Sequence, residues 1–150
     1  MFGPAGRAYV YLVYGMYHCL NVVTESEGSP SAVLIRAVEP LSGLPEMREA
    51  RTQVGPRAHR DRSSAAPQDA RLASGPGLVC AAFSITRTDD GVDLLDPASD
   101  LRLEPAAEHE PLPVVASARI GIDYAPEPWR SMPWRFFVPG NASVSRGGVR

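Results

Sequence analysis

The chain has 150 residues, 44% of them hydrophobic and 21% charged, with a formal net charge of −2; this is enough for one domain with a real core, and its apolar runs fall far short of a transmembrane helix. All 15 Lys and Arg positions are arginine, so a lysine Schiff base is excluded by inventory and only the terminal amine is left to form one. Cys19 and Cys80 stand far apart without a CxxC pattern, and His18, His59 and His109 are equally scattered, which argues against a zinc site and for two reduced, packed thiols.

In chain order, the first residues carry no basic region followed by an apolar block, so no signal peptide is read and the expected address is the cytoplasm. Residues 8–14 and 18–24 are rich in Tyr, Val and Leu and flank Gly15-Met16-Tyr17, which predicts two strands and a tight hairpin. Four of the five tyrosines, Tyr9, Tyr11, Tyr14 and Tyr17, lie in this hairpin. A third strand is expected over 32–38, and a short helix over 45–53 after the turn residues of "EPLSGLP". Residues 54–73 read as a loop or disordered insertion. Ser74 is a cap candidate for a second short helix over 76–84. After the turn-rich "TDDGVDLLD", closing strands are expected over 113–122 and 134–138. This order suggests a mixed, largely antiparallel sheet. Five arginines, Arg48, Arg51, Arg57, Arg60 and Arg62, crowd one stretch, while eight of the 17 acids lie between Asp89 and Glu110. A basic face for nucleic acid and an ordinary solvated surface both fit that asymmetry.

The hairpin register decides what Tyr11 meets. A three-residue loop over 15–17 would set it opposite Asn21, and a two-residue loop opposite Leu20; the first is preferred. Asn is disfavoured in strands and costly to bury unpaired, so a place at a pocket wall would explain Asn21. A solvent-facing Asn, or one bonding a bulged backbone, would fit as well. The tip Tyr14-Gly15-Met16-Tyr17 is flat and apolar, the kind of wedge that can unstack a base step. Aromatic strands are also common in cores.

Taken together, "AYVYLVYGMYHCLNVV", "AVLIRAVEPLSGLPEMREAR", "SGPGLVC", "ARIGIDYA" and "PWRFFV" resemble, in order and spacing, the 3-methyladenine DNA glycosylases of the alkyladenine (methylpurine) type. The resemblance covers almost the whole chain. It implies a single mixed α/β domain over 1–150, built around a curved, largely antiparallel sheet with a protruding hairpin and short helices. It also implies base-excision repair in the bacterial cytoplasm by a monomer. The hairpin would enter the minor groove of duplex DNA and flip an alkylated or deaminated purine into a pocket, where an activated water cuts the N-glycosidic bond without metal or cofactor. A non-catalytic domain that binds DNA lesions is the alternative.

Carried over position by position, Tyr14 resembles the intercalating wedge, with Met16 beside it at the tip. Tyr11 resembles the wall on which the flipped base stacks. Asn21 resembles the residue that disfavours normal guanine by crowding its exocyclic amine. Arg36, in "LIRAVEP", resembles the arginine beside the reacting sugar and water. Ser74, Gly75 and Gly77, in the glycine-rich start of a helix, form a candidate phosphate seat. The family usually continues there with a lysine, where this chain has Leu78. The family's water-activating glutamate, a second stacking tyrosine and a pocket histidine lie upstream of the stretch matched here by Met1. Glu25, Glu27 and His18 match none of them. No catalytic residue is therefore assigned beyond Arg36 as an orienting group. The expectation is that the functional protein is longer and that these 150 residues alone cleave little.

Overall fold

The computed structural model describes residues 1–54, 69–105 and 112–144. Its fold is mixed α and β with antiparallel pairing throughout. Strands β1 (Ala8–Val13), β2 (Tyr17–Val23) and β3 (Ala32–Leu34) form one sheet in that order, and β4 (Val115–Ser117) pairs with β5 (Arg135–Phe137) in a second. The closing strands are thus shorter than expected and make a ribbon of their own. Among the described residues the α-helices are α1 (Leu44–Thr52) and α2 (Pro76–Ala82), each close to its predicted span.

Strand alternation sends Ala8, Val10 and Leu20 to one face, where they pack with Cys80 of α2, Ile85 and Leu94. A second core gathers Met47 of α1 with Leu72, Ala73, Val79 and Ala82, against Ile35, Val38 and Leu44. Because α2 contributes to both clusters, it fixes the hairpin sheet relative to α1. Each large side chain buried there contributes about 1.5–3 kcal/mol, which is why a helix of two turns suffices.

Leu72 and Ala73 are fully buried and a 3-10 turn covers Asp69–Arg71. The expected loop over 54–73 therefore ends by Asp69, and most of it, 55–68, lies outside the described residues. Two arginines tie the far side of that stretch back to α1: Arg48 pairs with Asp69, and Arg51 Nη1 donates to the Leu72 carbonyl at 2.6 Å. β3 stops at Leu34 rather than residue 38. Ile35 N–H still donates to the Leu20 carbonyl at 3.0 Å, but Ala37 turns away to bridge Ser74.

The outer edge of β1 is covered as well. Ala8 exchanges backbone hydrogen bonds of 2.9 Å with Gly91 and Val92, and Leu94 N–H donates to the Gly6 carbonyl at 3.0 Å. Pairing there closes an edge that would otherwise be open to other chains.

Candidate nucleic-acid interface

The hairpin turn differs from the expected one by a shift that follows from backbone geometry. The register pairs Val13 with Tyr17, so the three loop residues are Tyr14, Gly15 and Met16. Met16 N–H donates to the Val13 carbonyl at 3.0 Å, and Tyr14 and Gly15 have φ of 52° and 68°. Two successive positive φ values are what a type I′ turn demands. Glycine supplies one of them, and Tyr14 must supply the other, leaving the strand to do so. A tyrosine in the left-handed region costs about 1–2 kcal/mol.

As a result Tyr11 faces Cys19 and Tyr9 faces Asn21, which corrects the expected Tyr11–Asn21 pair. The shift is by two residues, an even number, so all four remain on one face. Asn21 is 7% exposed and its Nδ2 donates to the Tyr9 carbonyl at 3.0 Å. It is therefore buried in the sheet and bonded to the backbone of the opposite strand, in a continuous register without a bulge. Tyr9 and Tyr11 lie with ring centroids 5.4 Å apart, tilted by 30°.

β3 completes the surface. Asn21 pairs with Leu34, and continued pairing through Ile35 brings Arg36 alongside Cys19, whose thiol feels its guanidinium. Tyr11 pairs with Cys19, with Arg36 just beyond the end of β3 near that thiol, next to the row of Tyr9, Asn21 and Leu34. Among the described residues no carboxylate pairs with Arg36. Burial, then the nearby Cys19, Tyr9 and Tyr124, push the Tyr11 phenol above its usual pKa. Tyr124, 87% exposed, is a neighbour that the sequence did not single out as a site residue; nothing local to "IDYA" links it to a hairpin more than a hundred residues away.

The tip stands clear of this surface. Tyr14 is 90% exposed and Met16 49%. A shallow cleft of about 380 Å³ opens beside Tyr9, between Pro4, Arg7, Val23 and Asp90; Tyr11, Asn21 and Arg36 do not line it.

Against β2 lies α2, reaching as far as Tyr17 beside the turn. Its N-cap is Gly75, with φ 145° and no side-chain cap bond, so Ser74 does not cap the helix as expected. The Ser74 hydroxyl is covered and has no hydrogen-bond partner among the described residues. Gly77 has a packing role: a Cβ there would lie 2.8 Å from Tyr17 Cβ and 2.9 Å from Cγ. The helix approaches the hairpin to a distance only glycine permits.

Both thiols are buried. Burial raises Cys19, with Arg36 pulling it back in part, and pushes Cys80 up to about 12. A thiol raised in the folded state favours folding while it is neutral, so its contribution is complete below pH 9 and is lost as pH rises from 9 toward 12. Thermal unfolding midpoints are expected to fall over that window, and less steeply in Cys80→Ala; identical slopes for the two proteins would remove Cys80 as the cause.

The hairpin region thus carries an exposed aromatic at a strained tip, two neighbouring tyrosine rings and a nearby arginine. The chain belongs to the methylpurine-DNA glycosylase family, whose model matches residues 1–142. It is 43% identical over 146 residues to a protein of Alkaliphilus oremlandii (strain OhILAs), and 42% identical over 148 residues to proteins of Bacillus thuringiensis (strain Al Hakam) and Bacillus cereus (strain B4264). Each match spans 97% of this chain and 68% of the relative, and all three carry the provisional name 3-methyladenine DNA glycosylase.

Proposed function

We propose that this chain recognises damaged purines in duplex DNA by base flipping, and supplies the DNA-gripping part of a glycosylase that hydrolyses their N-glycosidic bond. Tyr14 inserts into the stack where the nucleotide leaves, with Met16 widening the wedge. The extruded base rests on Tyr11, with Asn21 at its edge to disfavour guanine. Arg36, without a carboxylate partner among the described residues, lies toward the sugar, where a fixed guanidinium stabilises developing charge and orients water. The backbone around Gly75 and Gly77 offers the start of α2 to a phosphate; the covered hydroxyl of Ser74 makes its side chain the weakest member of that group.

The observation that carries this proposal is the 90% exposure of Tyr14 in a backbone conformation that costs energy to hold. A core residue would be neither exposed nor strained, and strain kept at an exposed aromatic points to use.

Hydrolysis needs a carboxylate near the sugar to direct the water. Glu25 and Glu27 are exposed in the loop after β2, and among the described residues no carboxylate contributes to the shifts of Tyr11 or Cys19. That favours a second reading in which the chain alone holds lesions without cutting them. The test uses a duplex with one hypoxanthine, given to this chain and to the Bacillus thuringiensis relative. Selective retention with slow or no release of hypoxanthine is expected from the chain. Equal affinity for intact and damaged duplex would refute base flipping, and release at the relative's rate would refute the division of labour.

A further inference from the structure

On the outer edge of β1, backbone pairing gives way to side chains one residue before Tyr11. Val10 N–H donates to Asp90 Oδ1 at 2.8 Å, and the Val10 carbonyl accepts from Arg87 Nη1 at 2.8 Å. Asp90 and Arg87 thus take the two places that the backbone of a further strand would occupy. They are themselves paired, with Arg87 Nη2 3.7 Å from Asp90 Oδ2. The turn between them is fixed by a capping box: Thr86 N–H donates to Asp89 Oδ2 at 2.7 Å and Thr88 N–H donates to Thr86 Oγ1 at 3.3 Å. Adjacent acids therefore do different work, Asp89 holding its own turn and Asp90 holding β1.

The position of this clasp matters. Before it, β1 is paired on both sides; beyond it lie Tyr11, the exposed Leu12 and the strained Tyr14. A backbone group left without its partner in a part-buried edge loses about tenfold or more in the equilibrium it supports. On this outer edge Val10 is the last tied residue of β1 before the tip, while α2 meets the other strand at Tyr17, so the angle of β1 when the hairpin is prised against stacked bases depends on the hold at Val10.

We propose that Arg87 and Asp90 are positioning residues for base extrusion, clamping β1 at Val10 so that Tyr11 and Tyr14 are held at a set angle to the DNA. The proposal rests on the hairpin function above. Three variants test it: Asp90→Ala, which removes the acceptor; Asp90→Asn, which keeps an acceptor oxygen but loses the charge; and Arg87→Ala, a milder change at an exposed side chain. Amide exchange at Val10 and Leu12 is measured on the free proteins, and affinity for hypoxanthine duplex and for undamaged duplex at equal folded concentration. Asp90→Ala and Arg87→Ala are expected to speed exchange at Val10 and to reduce preference for the damaged duplex about tenfold. Asp90→Asn should recover most of both. If preference for the lesion is unchanged while only the unfolding midpoint drops, or if Asp90→Asn is as impaired as Asp90→Ala, the positioning role is wrong. Tyr14→Gly is run in parallel: full lesion preference in that protein would overturn the hairpin function itself, and Val10 exchange would then still decide whether the clasp exists.

Discussion

Tyr14→Gly is expected to weaken binding to a hypoxanthine-containing duplex by about tenfold or more while leaving the protein as stable as before, or more so. The two effects have opposite signs because they come from different properties of one residue. Tyr14 sits at φ 52°, which costs a side-chain-bearing residue about 1–2 kcal/mol and glycine almost nothing. Glycine's greater freedom in the unfolded chain returns about 0.5–1 kcal/mol of that gain, so the balance is a small stabilisation. At 90% exposure the ring contributes little burial to lose. Against DNA, the same ring is worth roughly 1–3 kcal/mol of stacking, which is a factor of about 5 to 150 in affinity. Thermal unfolding and a binding titration on one preparation check both. A clear fall in the unfolding midpoint would mean that Tyr14 is a structural residue and that its exposure is incidental.

How legible this was from sequence depends on the range of the interaction. Strand and helix positions came from local signals: the Tyr and Val runs of β1 and β2, Pro45 and Glu46 opening α1, and Pro76 opening α2. The hairpin register did not, because the turn needs two positive φ values where the chain has one glycine, and no propensity announces that a tyrosine will take the second. Even so, Tyr11 and Asn21 share a face, because a slip of two residues preserves the alternation of both strands. Ser74 was misplaced as a cap for the opposite reason. Serine is a good cap in general, but here Ala37 and Val38 pair with Ser74 and Ala73, and the helix opens one residue later at Gly75. The roles of Asp90, Arg87 and Gly77 were not visible at all. Each depends on a partner about sixty to eighty residues away, and in sequence "TRTDDG" is a polar turn and "SGPG" a glycine-rich loop.

Gly77→Ala distinguishes the two roles open to that glycine. In a helix interior the change gains about 1 kcal/mol of propensity, and less this close to an end, so a helix judged alone should be steadied by it. The new methyl would lie 2.8 Å from Tyr17 Cβ and 2.9 Å from its Cγ; a turn about χ1 can move Cγ, but Cβ is set by the backbone of β2. Rotating Tyr17 cannot relieve the Cβ contact, so either α2 or the start of β2 must move. Overpacking of this kind costs about 1–3 kcal/mol, which outweighs the propensity gain, and the unfolding midpoint is expected to fall by several degrees. Because α2 joins both cores, displacement of the hairpin should also lower the affinity for damaged duplex. Alanine keeps the backbone N–H, so a purely phosphate-binding Gly77 predicts unchanged affinity and a midpoint that is steady or raised. Measuring midpoint and affinity together separates the two: a fall in both assigns Gly77 to seating the hairpin on α2, and a rise in midpoint with full affinity leaves it only its backbone donor.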